Sequence, residues 1–221
     1  MVTGRPPRWM PPVAEQTGHS GVAVCANGAL VYDLHTERVV RSYLLSAAAA
    51  GEVVAALRDA VPGIAFAVER GELGFGREAS YVPRWDNGEM LVAPVEELVA
   101  GGAVKLLARV EGASSDALLA RARTAVGHLA ETTHSSHDGM LEISALGISK
   151  ASGLAALAAE HGIGASEVVA FGDMPNDLPM LAWAGHSVAV ANAHPEVLEL
   201  ADEVTAGYED DGVAQVLERW F

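Results

Sequence analysis

Cysteine, aromatic side chains and positive charge are all scarce in this sequence of 221 residues. The single cysteine, Cys25, excludes an intrachain disulfide and is consistent with a reducing compartment. There are 14 Lys and Arg residues against 29 Asp and Glu residues, and the net charge of −15 argues against nucleic acid as a partner. A small anionic substrate stays compatible with this charge, because a bound divalent cation reverses the sign locally.

Long apolar runs are absent as well. No stretch approaches the roughly 18 apolar residues of a membrane span, and the opening residues MVTGRPPRWM contain no apolar segment of the signal-peptide kind. We therefore expect a soluble, cytoplasmic protein with no membrane partner. The sequence also lacks a G-x-G-x-x-G motif and a Walker loop, which makes an unrelated nucleotide-binding domain a weak interpretation.

The order of apolar segments predicts an α/β fold. Within residues 146–221, the strand-like segments EVVAF, SVAVA and DEVT alternate with helical segments and short loops, and this alternation predicts a doubly wound parallel sheet. Residues 46–145 have an α+β pattern instead, with an irregular or hairpin segment at 71–93. We therefore expect one core domain, 1–45 and 146–221, interrupted by an inserted domain at 46–145.

Two carboxylates and an amide crowd the segment GDMPND, directly after the apolar segment EVVAF. Asp173 and Asp177 would then lie beyond the carboxyl end of a parallel strand, where open α/β sheets bind ligands. Clustered carboxylates repel each other unless a cation neutralises them. Mg²⁺ suits such a site, because it binds one or two protein carboxylates beside a substrate phosphate. The alternative is that these residues only cap the following helix.

Two further fragments indicate an anion. In VTGRPP, Thr3 and the backbone around Gly4 lie at another expected strand end, where a hydroxyl and amides can bind phosphate oxygens; an ordinary Gly-Pro turn is the alternative. Lys150 lies near the start of a helix, where the helix dipole slightly disfavours a cation. Its position therefore indicates a nearby anion, and the alternative is a solvated surface lysine.

Thr3, Lys150 and Asp173, in this order, resemble the second, third and fourth motifs of the haloacid dehalogenase (HAD) superfamily. The resemblance is closest to its Cof-like phosphatases, which carry an inserted α+β cap. The similar segments are VTGRP, CANGA, LEISALGISKASGL, FGDMPNDLPML, VANAHPEV and EDDGVAQVLE. They cover nearly the whole chain, most weakly across the cap. The resemblance implies a HAD-like Rossmannoid core, truncated at its N-terminus, with the cap at 46–145.

The resemblance also implies phosphate-ester hydrolysis with Mg²⁺ as the cofactor and a phospho-aspartyl intermediate. Asp173 would hold the metal with support from Asp177, and Lys150 would neutralise the phosphoryl group. Asn176 would contact the phosphate or orient Lys150. Lys150 and Asp173 would thus be the catalytic residues that this chain supplies. The implied phosphate-binding and site-edge residues are Thr3, Gly4, Arg5, Asn27, Lys150, Asn176 and Asn192.

The family's first motif, Asp-x-Asp-Gly-Thr, does not occur in this sequence. In the family that motif carries the nucleophile, the general acid and base and a further magnesium ligand, and it would lie ahead of Thr3. A misplaced start codon, a gene fragment or a true pseudoenzyme would each produce this pattern. We expect a phosphatase acting on a small phosphorylated metabolite such as a sugar phosphate, impaired in the chain as it stands. The alternatives are an inactive phosphate-binding or regulatory protein and an enzyme like the mannosyl-phosphoglycerate phosphatases.

Polar residues of the inserted domain allow weaker interpretations. Arg84 and Trp85 could line a substrate pocket or simply pack it. His134, His137 and Asp138 could suggest a metal site, but two histidines three residues apart on an expected turn favour surface positions.

Overall fold

The computed structural model describes residues 1–71, 74–84 and 89–220. They form two compact units, Met1–Ile148 (unit 1) and Ser149–Phe221 (unit 2). Trp85, one of the expected pocket residues, lies outside the described residues. Within the described ranges, none of the helices combines the length and the apolar character that crossing a membrane requires.

Unit 1 begins with a helix and a small antiparallel sheet. Helix α1 (Met10–Thr17) has proline in its first turn and is followed by Gly18, whose φ of 66° places it in the left-handed region that commonly ends helices. Strands β1 (Val22–Cys25), β2 (Leu30–Asp33) and β3 (Arg38–Ser42) follow. They pair in the order β1-β2-β3, and both pairings are antiparallel.

The rest of unit 1 is built on a larger sheet. Its strands are β4 (Ala65–Glu69), β5 (Phe75–Arg77), β6 (Met90–Val92), β7 (Lys105–Arg109), β8 (Ala130–Thr133) and β9 (Met140–Ala145). They form a six-stranded sheet in the order β6-β5-β4-β7-β9-β8. β5 pairs antiparallel with the preceding strand β4, whereas β5 and β6 pair in parallel, so residues 75–92 do not form a hairpin of their own. A hairpin joins antiparallel strands, whereas parallel pairing needs the longer crossover that the chain between β5 and β6 provides.

Helices cover one face of this sheet, and the other face carries both buried charged residues and a smaller apolar cluster around Phe75 and Tyr81. The helices are α2 (Ala47–Ala60), α3 (Val95–Leu98) and α4 (Ser115–Val126). Phe66, Leu106 and Leu141 of the sheet form one apolar cluster with residues of these helices. Side chains alternate along a strand, so Lys105 and Glu142, next to Leu106 and Leu141, point to the opposite face.

His134 differs from the expectation of a surface position. It is 0% exposed, and its Nε2 lies 2.8 Å from Asp116 Oδ1, whereas His137 is exposed as expected. The surface prediction for His134 is therefore wrong. The physical reason is that the neighbouring strand β8 packs against α4, which supplies the Asp116 carboxylate.

Unit 2 alternates helices with parallel strands. In chain order it contains α5 (Lys150–Glu160), β10 (Val169–Gly172), α6 (Leu178–Trp183), β11 (His186–Val190), α7 (Pro195–Leu200), β12 (Glu203–Thr205) and α8 (Gly212–Leu217). The strands pair in parallel in the order β10-β11-β12. This alternation agrees with the predicted α/β class. The grouping of residues 1–45 with 146–221 in one core domain stays a prediction.

Candidate functional site

The loop after β10 is organised around Asp177. This residue is 3% exposed, and its Oδ2 accepts hydrogen bonds from the N–H groups of Asp173 at 3.0 Å and Met174 at 3.2 Å. Gly172 permits this tight loop, because a Cβ atom there would lie 2.6 Å from the Asp177 Cβ. Asp177 therefore holds the loop that presents Asp173.

Lys150, the first residue of α5, pairs with the same carboxylate. Its Nζ lies 2.6 Å from Asp177 Oδ1. Lys150 is only 7% exposed, so the alternative of a solvated surface lysine is wrong. A lysine at the start of a helix lies at the positive end of the helix dipole, and the buried Asp177 supplies the negative charge that offsets this unfavourable position.

Asp173 is the exposed member of the acidic pair. Partial loss of solvent, and then the negative charge of Asp177, raise the pKa of Asp173, while the charge of Lys150 acts in the opposite direction. Two carboxylates therefore share the charge of one lysine, and this shared charge adds to the effect of burial on the pKa of Asp173. A divalent cation at Asp173 would relieve the repulsion, and carboxylate oxygens are the ligands that Mg²⁺ prefers. These residues therefore fit a magnesium site.

Two asparagines of unit 2 lie near this loop or at the same sheet edge. Asn176 is buried directly before Asp177 in the chain. Asn192 is exposed in the loop after β11, and its Oδ1 accepts a hydrogen bond from the Tyr208 N–H at 3.1 Å. Because β10 and β11 are parallel neighbours, the loops that carry Asp173 and Asn192 follow the same edge of the sheet.

The candidate phosphate loop of unit 1 is residues 3–5. Thr3 Oγ1 accepts a hydrogen bond from the Arg5 N–H at 3.1 Å, and the Thr3 carbonyl accepts one from the Asn27 N–H at 3.1 Å. A hydroxyl that accepts through its oxygen keeps its own proton for donation, which is what a phosphate oxygen requires. Unit 1 therefore brings its four candidate site residues, Thr3, Gly4, Arg5 and Asn27, together.

Lys105 and Glu142 are missing from the sequence-based set of site residues. Each is 5% exposed, and the Lys105 Nζ lies 2.8 Å from Glu142 Oε1 and 2.7 Å from the Gly4 carbonyl oxygen. Glu142 Oε2 accepts a hydrogen bond from Asn27 Nδ2 at 2.8 Å. The sequence does contain a pattern that could have identified them, because Lys105 and Glu142 are charged residues within the apolar strand segments AVKLL and MLEIS. The sequence alone does not say which group such a residue pairs with.

Unit 1 also contains a cavity of about 200 Å³, whose lining includes Tyr81, Arg84, Arg109 and Asp138. The Arg84 Nε lies 2.6 Å from Asp138 Oδ2, and the Arg109 Nη2 lies 3.2 Å from the same oxygen. Burial acts to raise the pKa of Asp138, but the Ser136 hydrogen bond and the two guanidinium charges outweigh it and lower the pKa. Arg84 therefore lines a cavity, and its contact with a substrate stays a prediction.

Residues 1–217 match the family described as haloacid dehalogenase-like hydrolases. The chain belongs to this family. The resemblance to this superfamily, which was based on Thr3, Lys150 and Asp173, is thereby confirmed. The roles of the individual site residues stay predictions.

Two curated relatives match part of the chain. The stress response protein YhaX of Bacillus subtilis is 42% identical over 85 residues, which are 38% of this chain and 30% of YhaX. YitU of Bacillus subtilis, a 5-amino-6-(5-phospho-D-ribitylamino)uracil phosphatase, is 40% identical over 82 residues, which are 37% of this chain and 30% of YitU. The chain thus spans under a third of the length of these curated relatives.

A solved structure matches almost the whole chain. The HAD subclass IIB sugar phosphatase BT4131 has a TM-score of 0.81 at 19% sequence identity, over 99% of this chain and 84% of that protein. At this level of identity the likeness shows the fold, and it confirms the predicted fold class.

Proposed function

We propose that the protein acts as a Mg²⁺-dependent phosphomonoesterase of the Cof-like HAD type on a small phosphorylated metabolite. The observation that carries this proposal is the buried Lys150–Asp177 ion pair beside the exposed Asp173, whose pKa is raised. The loop combines a fixed positive charge with a carboxylate that lacks full compensation. Binding a phosphate together with a cation requires both features.

Each residue has a separate task in this proposal. Asp173 holds the cation, and Asp177 fixes the loop and orients Lys150. Bound Mg²⁺ neutralises negative charge on the phosphoryl oxygens. Lys150 adds a second positive charge, and Asn176 contacts the phosphate or orients Lys150. The remaining phosphate contacts are assigned to Thr3, Gly4 and Arg5, with Asn27 and Asn192 at the edge of the site.

The proposed substrate class is a phosphorylated sugar or polyol. The name of YitU specifies a phosphorylated ribityl compound, and BT4131 is called a sugar phosphatase; both names support this class. We assign choice of the leaving group to a cap at 46–145 and phosphoryl chemistry to a core of 1–45 and 146–221, in a cytoplasmic enzyme. Arg84→Ala should then alter preference among sugar phosphates more than hydrolysis of a small aryl phosphate.

A catalytically inactive phosphate-binding or regulatory protein is the second candidate. These 221 residues contain groups that can bind a phosphate, such as Lys150, but no Asp-x-Asp-Gly-Thr segment. Without a nucleophile, the remaining groups bind and orient a phosphate but do not form the phospho-enzyme, and loss of such a group removes several orders of magnitude in rate.

The test compares the 221-residue chain with one extended by the codons upstream of Met1, using an aryl phosphate and Mg²⁺. The enzyme proposal expects an in-frame Asp-x-Asp-Gly-Thr and turnover only by the extended chain. Asp173→Asn should abolish that turnover, whereas Asp59→Asn, at an exposed position of α2, should retain it. Stop codons upstream, or an extended chain without turnover, would support the inactive protein instead.

A further inference from the structure

Three charged residues lie buried at one end of the six-stranded sheet, on the face opposite the helices. Glu69, Lys105 and Glu142 lie on the central strands β4, β7 and β9, and Glu69 lies directly opposite Lys105 in the β4–β7 pairing. Burying charged groups is unfavourable unless each finds a partner. The identity of those partners therefore indicates what this end of the sheet does.

Glu69 and Lys105 contact residues 1–9 directly, and Glu142 contacts Asn27, whose N–H donates to the Thr3 carbonyl. Glu69 Oε1 accepts a hydrogen bond from the Arg8 Nη1 at 2.6 Å. Lys105 donates to the Gly4 carbonyl at 2.7 Å, and Glu142 accepts from Asn27 at 2.8 Å. Two of these residues thus bind the segment that carries the candidate phosphate loop directly, and the third binds it through Asn27.

The Lys105 contact acts on the loop through a single peptide plane. The Gly4 carbonyl and the Arg5 N–H belong to the same planar peptide unit and point in opposite directions. Holding the Gly4 carbonyl with the Lys105 Nζ therefore fixes the direction of the Arg5 N–H, which donates to Thr3 Oγ1 at 3.1 Å. That hydrogen bond in turn orients the Thr3 hydroxyl.

Glu142 adds a second route to the same residue. Its two carboxylate oxygens hold Lys105 and Asn27, and the Asn27 N–H donates to the Thr3 carbonyl at 3.1 Å. Asn27 has a φ of 57°, a left-handed conformation that such side-chain and backbone hydrogen bonds help to maintain. Both routes therefore end at Thr3.

We propose that Lys105 and Glu142 are positioning residues, which set the orientation of the Thr3 hydroxyl and of residues 3–5 for phosphate binding. They affect phosphate affinity and the rate of catalysis only through this loop and do not contact the phosphate themselves. The inference rests on the proposed function only in assigning a phosphate to this loop. The geometry of the loop itself can be tested without that assignment.

The experiment measures amide hydrogen exchange and inorganic phosphate titration, both by NMR, in the 221-residue chain. Lys105→Met should speed exchange of the Arg5 and Asn27 amides by about tenfold or more beyond the change in global stability. Glu142→Gln keeps the shape of the side chain and should give a smaller change of the same kind. Leu118→Ala, on the buried side of α4, is the control that lowers the stability of the same unit without a contact to the loop.

The outcomes distinguish the positioning role of Lys105 and Glu142 from the proposed binding of phosphate. Phosphate affinity, followed by the amide shifts of residues 3–5, should fall about tenfold in Lys105→Met and stay unchanged in Leu118→Ala where both remain folded. If neither Lys105→Met nor Glu142→Gln changes Arg5 and Asn27 exchange beyond the Leu118→Ala control, the positioning role is overturned. If the exchange changes as expected but the unaltered chain binds no phosphate, the positioning role stands and the proposed function fails for this chain.

Discussion

The two units each bury one lysine–carboxylate pair, and the surroundings of the two pairs differ. Lys150–Asp177 in unit 2 and Lys105–Glu142 in unit 1 have similar N–O distances, 2.6 Å and 2.8 Å, and all four side chains are nearly inaccessible. In unit 2 a second carboxylate, Asp173, lies beside the pair with a raised pKa.

In unit 1 the pair is enclosed by uncharged partners, the Gly4 carbonyl and the Asn27 amide. The nearby Glu69 has its own cation, Arg8. Burial raises the pKa of both Glu69 and Asp173, so the difference between the two sites lies in the number of charges. Two cations accompany the two carboxylates around Lys105, whereas Lys150 alone accompanies Asp173 and Asp177. A balanced buried pair fixes a structure, whereas an unbalanced one can also attract a cation.

The largest expected effect comes from breaking the unit 2 pair. Lys150→Met leaves the buried Asp177 carboxylate without its cation, and removing one partner of a buried ion pair typically costs about 3–5 kcal/mol. We expect the free energy of unfolding, measured by urea denaturation, to fall by this order. Arg123→Met on the exposed side of α4 is the control. If Lys150→Met and Arg123→Met unfold with the same free energy, the Lys150–Asp177 pair does not stabilise the fold as predicted.

The stability that the Lys105–Glu142 pair contributes should be recoverable with apolar side chains, because the two buried charges offset each other. Glu142→Leu alone should lower the free energy of unfolding by about 3–5 kcal/mol, since it strands a buried lysine. Adding Lys105→Met should recover most of that loss, and a double-mutant cycle measures the recovery. If the double variant is no more stable than Glu142→Leu, the cost does not come from an unpaired charge.

A smaller effect follows from the raised pKa of Asp173, which results first from partial burial and then from the charge of Asp177. The pKa of Asp173 is higher in the folded state than in the unfolded state, so ionisation of this carboxyl group disfavours folding. Its contribution to stability therefore decreases as the pH rises from the unfolded-state pKa through the folded-state pKa. Asp173→Asn removes that loss. The residue is exposed, so solvent screening limits the gain near neutral pH to less than about 1 kcal/mol. Thermal unfolding across this pH range should show that the melting temperature of Asp173→Asn, relative to that of the unaltered chain, increases as the pH rises. If the stability advantage of Asp173→Asn instead increases as the pH falls, the pKa of Asp173 is not raised in the folded state.

The sequence predicted unit 2 well, because its signals are local. The helix–strand alternation and the acidic segment after β10 both require only neighbouring residues, and Asp173 and Asp177 lie where that pattern put them. Lys150 was found in the same way, from its place at a helix start.

Unit 1 was predicted less completely, because its polar contacts join residues far apart in the chain. Glu142 pairs with Lys105 and Asn27, and no local pattern specifies those partners. His134 was placed on the surface, but β8 packs against α4 and buries it beside Asp116. The sequence of residues 71–93 contains no local pattern that predicts the parallel pairing of β5 and β6.

The most direct measurement is Mg²⁺ binding by isothermal titration calorimetry at neutral pH and moderate salt. The unbalanced charge at Asp173 predicts that the unaltered chain binds Mg²⁺ and that Asp173→Asn weakens this binding at least about tenfold, since one of its carboxylate ligands is lost. Asp59→Asn, the same chemical change at an exposed helix position, should bind as the unaltered chain does. Equal Mg²⁺ affinity in the unaltered chain and Asp173→Asn would contradict the assignment of the cation site to this loop.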